Sequence, residues 1–387
     1  MQGKRPKIGR GQIVAIADVG SGSAALAIVL VSARRAAQVL SATRVVLPIE
    51  VRDREATVAR VGAALEEASE KALAAYRSAD QKVRAVEALY CVIRAPWVRS
   101  TTARAQADFR EETAITDSML SSLAKRALDE NRALNIANLL EASIVNVKLN
   151  GYSTTKPENQ RAHAVTVTTL FSVCDPALEM AVRASLQKSF PHLLPVYRSS
   201  SLSILSLLDS RPGPNEDHLA IEVLGEATTL SVVRDGALTH QQVIPEGVHT
   251  IIRRVAPQGI PEETLNLVRM ISTGQCATAA CQAIQAAMAK IEPELVRAFG
   301  EGMAECASRR KLPNALFLTT QDDMTEWLGA FFARIDFGQF TRTTQPFVVE
   351  TVSPADLSDH VLAGKNITLD TGLAFSIALV NRELSRA

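Results

Sequence analysis

Apolar and polar positions divide the chain into strands and helices that fall into two similar halves. Residues 13–31, IVAIADVGSGSAALAIVLV, are an apolar run broken by Asp18 and by Gly20-Ser21-Gly22-Ser23. Two β-rich runs around a short Gly/Ser turn predict a hairpin. A third strand follows over 42–48. In 57–76, Val58, Val61, Leu65, Ala68, Ala72 and Ala75 recur at helical spacing, with Glu66, Glu67, Glu70 and Lys71 turned mainly outward. That spacing predicts an amphipathic helix. Residues 86–93, VEALYCVI, read as a buried strand ahead of Pro96 and Trp97.

The pattern then changes. Residues 100–112 are polar and charged, and Thr116-Asp117 can cap a helix reaching about Leu134, with Met119, Leu123 and Ala127 on its core face. Residues 141–149 alternate as a strand, Asn150-Gly151-Tyr152 signals a turn, and 162–174 alternate again. A strand, a helix and two strands in this order predict a small α+β module. Asp175-Pro176 opens a helix through Phe190. Residues 193–208 predict a short strand running into a serine-rich apolar helix, and 209–218, DSRPGPNEDH, read as a linker.

After that linker the opening pattern returns. Residues 219–234, LAIEVLGEATTLSVVR, again set an acid (Glu222) in an apolar strand, then Gly225 and the hydroxyls Thr228 and Thr229, then a second strand. Asp235-Gly236 is a type I′ turn signal leading to a strand over 238–244. Gly247, His249 and Thr250 precede a helix over 251–255. A strand-turn-strand carrying an acid once per half is an internal repeat. The remainder predicts helices within 261–310, a strand over 314–320, a helix over 324–333, a strand over 348–352 and a closing helix over 369–384.

An acid at the end of a buried strand is costly unless it is paired or hydrogen-bonded. Glycines admit close backbone approach, and successive turn amides with serine hydroxyls make an anion nest. Residues 13–31 therefore predict a nucleotide-phosphate hairpin with Asp18 aimed at a metal through water. A bare Gly/Ser turn and a membrane or signal segment are the rival readings; a mid-bilayer charge costs several kcal/mol, which disfavours the last. The net charge of +1 and the 4% aromatic content give no electrostatic or stacking basis for nucleic acid. Five cysteines without a CxxC pair read as reduced, mostly buried thiols, Cys276 and Cys281 included, and six scattered histidines show no metal spacing. Trp97 and Trp327 suit core packing or a partner anchor, and His249 a phosphate contact or a surface helix start.

The two hairpins, with Asp18, Gly20, Ser21 and Ser23 in one and Glu222, Gly225, Thr228 and Thr229 in the other, resemble the two phosphate loops of the actin-like ATPase superfamily. Gly247 and Thr250 match its Gly-rich turn near the nucleotide. The module inserted in the first half, carried by Val145 to Tyr152 and the strand after it, resembles that of the division protein FtsA and the type IV pilus protein PilM, as does Tyr90 to Trp97. The resemblance implies a two-lobed α/β (ribonuclease H-like) fold with a strand-helix-strand-strand subdomain in the first lobe. The lobes would be 1–85 with 173–210 and 366–387, and 211–365; the insert would be 86–172. It implies ATP and Mg²⁺ as cofactors, with Asp18 at the metal.

Several positions depart from the family. Ala24 and Ala25 stand where a basic residue is usual, Glu222 replaces an aspartate, and Gln321-Asp322-Asp323 replaces the Gly-rich adenosine loop. These departures predict a weakened or lost nucleotide site. The chain stops at Arg386-Ala387 without the amphipathic tail of many FtsA proteins, an arrangement expected of a PilM-like protein tethered by a membrane partner. The expected role is a scaffold coupling a cytoplasmic assembly, of division or pili, to the inner face of the membrane. An FtsZ-like or PilN-like partner would bind the inserted module, self-assembly stays open, and nucleic acid has no part. A kinase or ATPase on the same fold and a nucleotide-free adaptor are the alternatives.

Overall fold

The computed structural model describes residues 11–50, 53–79, 84–131, 136–208 and 217–385. The chain opens with an antiparallel meander, β1 (Gln12–Val19), β2 (Ser23–Val31) and β3 (Ala37–Val46). Helix α1 (Arg54–Ala79) then crosses over to β4 (Ala88–Ile93), which lies parallel to β1. Next come β5 (Val98–Ala114), α2 (Asp117–Glu130), β6 (Leu139–Leu149), β7 (Tyr152–Ser153) and β8 (Arg161–Cys174). Helix α3 (Pro176–Ser189), β9 (Pro195–Ser199) and α4 (Ser200–Leu208) complete the first half.

The second half repeats the plan. A meander of β10 (His218–Val223), β11 (Thr228–Arg234) and β12 (Ala237–Ile244) leads into α5 (Val248–Val255), α6 (Pro261–Ser272) and α7 (Ala279–Ala307). Strand β13 (Ala315–Thr319) pairs parallel to β10, as β4 does to β1. Helix α8 (Asp322–Arg334), β14 (Val348–Thr351), β15 (Val361–Leu362) and α9 (Thr371–Ser385) follow. The sheets run β15-β3-β2-β1-β4-β9, β12-β11-β10-β13-β14 and β5-β8-β6-β7, so the shared order β3-β2-β1-β4 and β12-β11-β10-β13 is the repeat seen in the sequence.

Both faces of the first sheet are covered, which explains why its central strands read as unbroken apolar runs. Val61 and Leu65 of α1 and Leu178 and Val182 of α3 pack on one face; Ile204 of α4 and Leu373 and Ile377 of α9 pack on the other. In the second lobe Phe299 of α7 meets Phe331 and Phe332 of α8 at ring-centroid distances of 5.8 and 5.0 Å. The turn predicted at Asp235-Gly236 has φ of 51° and 66°, and Asn150-Gly151 has 49° and 88°, both type I′ in sign.

Several expectations are corrected. Residues 13–31 are the expected hairpin of β1 and β2, so it is the rival membrane reading that falls; among the described residues no helix is long and apolar enough to cross a membrane. The polar stretch 100–112 lies within β5, which pairs with β8 from Val98↔Cys174 onward. It escaped the pattern because only one of its faces is covered and its exposed positions are polar or charged. The strand over 86–93 belongs to the first sheet beside β1, not to the insert, whose first strand is β5. Cys276 and Cys281 are joined as a disulfide across the turn that starts α7, Cα to Cα 6.2 Å, while Cys91, Cys174 and Cys306 are buried free thiols. Leu134 and most of the 209–218 linker lie outside the described residues.

Replacing Phe299, which is fully buried, with Ala removes the ring on which α7 and α8 meet. Urea unfolding is expected to show a loss of about 3–5 kcal/mol.

Candidate functional site

The two hairpins meet tip to tip between the lobes. Gly20 N donates to Ser23 O at 3.0 Å to close the first, and Leu224 N to Ala227 O at 2.9 Å to close the second. A Cβ placed on Gly225 would stand 2.6 Å from Gly22 Cα and 2.8 Å from Gly22 N, so only glycine permits this approach. Glu226 N donates to Ser21 Oγ across the join at 3.0 Å. His249, 1% exposed, wedges beside both tips with Nδ1 3.2 Å from Glu226 Oε1. It is therefore not the surface helix-start residue that its position suggested. Gly247 is the N-cap of α5, where a Cβ would clash with Gly225 O and stand 2.5 Å from Leu224 O; Thr250 Oγ1 accepts from its N–H at 2.7 Å.

Behind the tips lies a buried charge network. Asp18 Oδ1 accepts from Arg94 Nε at 2.6 Å and from Ser376 Oγ at 2.9 Å, and Oδ2 accepts from Arg44 Nη2 at 2.6 Å. Arg94 Nη1 reaches across the lobes to Glu222 Oε1, and its Nη2 donates to Gly372 O at 2.6 Å. Ser200 Oγ donates to Glu222 Oε2 at 2.9 Å. Arg44 forks onto Asp370 at 2.7 and 2.8 Å and donates to Ser23 Oγ at 2.6 Å. Burial by itself would raise the Asp18 pKa; the guanidiniums of Arg94 and then Arg44 outweigh it and hold the carboxyl below the usual range. Thr228 Oγ1 donates to Glu246 O at 2.6 Å, and Thr229 Oγ1 has no partner among the described residues.

No family model and no curated protein matches this sequence. Solved structures do match in fold. A PilM-PilN type IV pilus biogenesis complex aligns with TM-score 0.55 at 14% identity, over 98% of this chain and 99% of that one. The ethanolamine utilization protein EutJ from Carboxydothermus hydrogenoformans gives 0.41 at 11%, over 97% and 91%; the ROK hexokinase from Thermus thermophilus gives 0.38 at 13%, over 97% and 100%. The fold is actin-like.

Actin-like proteins generally bind nucleotide with Mg²⁺. The cleft encloses about 220 Å³, below the roughly 300–1,000 Å³ of pockets that take drug-sized ligands. The hairpin tips are in contact with each other, and both Asp18 oxygens are engaged by guanidiniums. Asp322 lines the same cleft from the first turn of α8, and its pKa is raised by burial, then by Asp370 and Asp323. Three network carboxylates face two guanidiniums, so the cleft carries surplus negative charge before any polyanion enters. This closed arrangement does not fit a magnesium-bound triphosphate.

The fold brings Asp18, Gly20, Ser21, Ser23, Glu222 and Gly225 around one cleft. Thr228, Thr229 and Gly247 are on the second hairpin and its supporting turn, away from the cleft lining. Sequence reasoning missed Arg44 and Arg94. The available signal was an unpaired buried acid on β1, which demands a cation from elsewhere.

A second hollow, about 540 Å³, opens between the first lobe and the insert, lined by Arg54, Trp97, Arg99, Asn138, Asp175 and Glu226 among others. Trp97 is 6% exposed, and its buried Nε1 has no hydrogen-bond partner among the described residues.

Replacing Arg94 with Met would leave Glu222 buried without its cation and Asp18 with Arg44 alone. The expected loss is about 3–5 kcal/mol in chemical denaturation. Glu226 gives a pH-dependent counterpart. Burial acts to raise its pKa, but Arg253 and His249 outweigh burial and hold it at about 2 against an ordinary 4.5. Its stabilising contribution is therefore full above pH 4.5 and is lost as pH falls towards 2. The urea midpoint of wild type should fall more between about pH 5 and pH 3 than that of Arg253→Gln, whose Glu226 has lost its main partner.

Proposed function

We propose that this chain is an FtsA/PilM-like scaffold that works without bound nucleotide and couples a cytoplasmic assembly, of division or pilus type, to the membrane through a protein partner. The observation that carries the reading is the cleft in which Arg94 and Arg44 take the Asp18 carboxylate. The guanidiniums supply the positive charge that holds the two hairpins together, which frees closure from any ligand. The cleft is then a fixed joint, and the binding work falls to the groove beside the insert.

There an extended partner segment would lie along the Trp97 wall and set its charged side chains against Arg99 and Glu226. The structural neighbour named as a PilM-PilN complex supports a protein occupant over a small molecule. The protein would sit at the inner face of the membrane because its partner does.

The test has two arms. Calorimetry with ATP and Mg²⁺ is expected to show no binding; micromolar binding with turnover would overturn the reading in favour of a kinase or ATPase. A photocrosslinking residue at Asn138, in cells, is expected to capture the cytoplasmic segment of one membrane protein. A synthetic peptide of that segment should bind wild type and lose at least about tenfold in affinity with Trp97→Ala, a loss of about 1.4 kcal/mol.

A further inference from the structure

The end of the second lobe remote from the cleft carries a charge imbalance that the proposed scaffold role does not use. Strand β11 leaves the hairpin at Thr228 and ends at Arg234, about 20 Å away at the usual rise per residue. Arg234 is 6% exposed. Its Nη2 donates to Lys311 O at 2.7 Å and Arg310 O at 3.3 Å, which fixes the guanidinium plane. Its Nη1 is buried and has no hydrogen-bond partner among the described residues; the nearest carboxylate oxygen, Asp217 Oδ2, is 3.7 Å off.

That same oxygen is shared. Arg342 Nη2 donates to it, and Arg310 Nη2 approaches to 4.0 Å. Asp217 is itself held in place by Asp235 N, which donates to Oδ1 at 3.3 Å. Lys311 is spent on the Gln339 carbonyl. Among the described residues three guanidiniums thus converge on one carboxylate, two positive charges more than it balances. Burial and then the neighbouring Arg310 press the Arg234 pKa down, the direction expected of a cation short of counter-charge. A buried, incompletely paired cation is costly unless something completes it.

We propose that Arg234, Arg310 and Arg342 form a binding site for a phosphate-class oxyanion. A dianion matches the surplus of two charges, and a tetrahedral group offers enough oxygens for Arg234 Nη1, Arg310 and Arg342 to donate at once, which a single carboxylate does not. Asp217 occupies one side of the cluster and fixes the guanidiniums while competing with the ligand for them. The anion is free phosphate or the phosphoryl group of a modified side chain.

Titration with inorganic phosphate, at ionic strength held constant with chloride and followed by ³¹P line broadening and calorimetry, tests the site. Wild type is expected to bind in the millimolar range or tighter. The double variant Arg310→Gln/Arg342→Gln, altered only at exposed side chains, should lose about tenfold or more. Asp217→Asn should bind more tightly, because the competing charge is gone. Phosphoserine amide in a parallel titration separates the sources: tighter binding than phosphate assigns a phosphorylated side chain, weaker binding the free ion. Equal binding by wild type and the double variant, or no broadening up to about 20 mM with folded protein, would overturn the proposal.

Discussion

The contact on which the molecule turns is the guanidinium of Arg94 between Asp18 and Glu222. Each acid stands at the end of the central strand of its lobe, beside the hairpin tip, and one side chain from β4's end pairs with both. Charges buried to this depth are stable only with every partner present. The lobes therefore cannot part by a little: opening must expose or re-pair all three groups together. The same turn continues into the second hollow, since Trp97 N donates to Arg94 O and Asp175 N to Trp97 O. The lock between the lobes and the wall of the groove are thus three residues apart on one rigid piece of backbone.

Much of this was legible and some was not, for identifiable reasons. The repeat was visible because covered sheets impose apolar runs and hairpins impose Gly, Ser and Asp at fixed offsets. Asp18 and Glu222 stood out as acids in apolar strands. Their partners did not, because Arg44 and Arg94 are 26 and 76 residues from Asp18, and Arg94 is 128 from Glu222. Local pattern says that a buried acid needs a cation but not which one. Strand β5 was hidden because a half-covered strand with Arg, Asp and Glu on its open face reads as a surface loop. Strand β4 was recognised but credited to the wrong unit, since an apolar strand carries no mark of the sheet it joins.

The glycines show how one residue type serves opposite ends. In a phosphate loop, glycine admits the backbone to a ligand. Here Gly22 and Gly225 admit the two hairpins to each other. The sequence signature is the same in both cases, so hairpins with these residues do not by themselves establish a ligand. What separates the two uses is the charge beside them. Asp18 with a water shell invites a metal, whereas Asp18 with two guanidiniums is already neutralised.

That distinction also explains where change can be tolerated. In a cleft that must hold a polyanion, acids such as Asp322 and Asp323 at the rim are unfavourable. In a cleft closed on its own arginines Asp323 pairs with Arg269 at 3.2 Å, and Asp322 bears the modest cost of its own burial and of Asp370 and Asp323, which raises its pKa. Once closure is carried by Arg94 and Arg44, the rim is released from the constraint of binding phosphate. On the proposed reading, the surfaces left under constraint are the groove beside the insert and the arginine cluster at the far end of the second lobe.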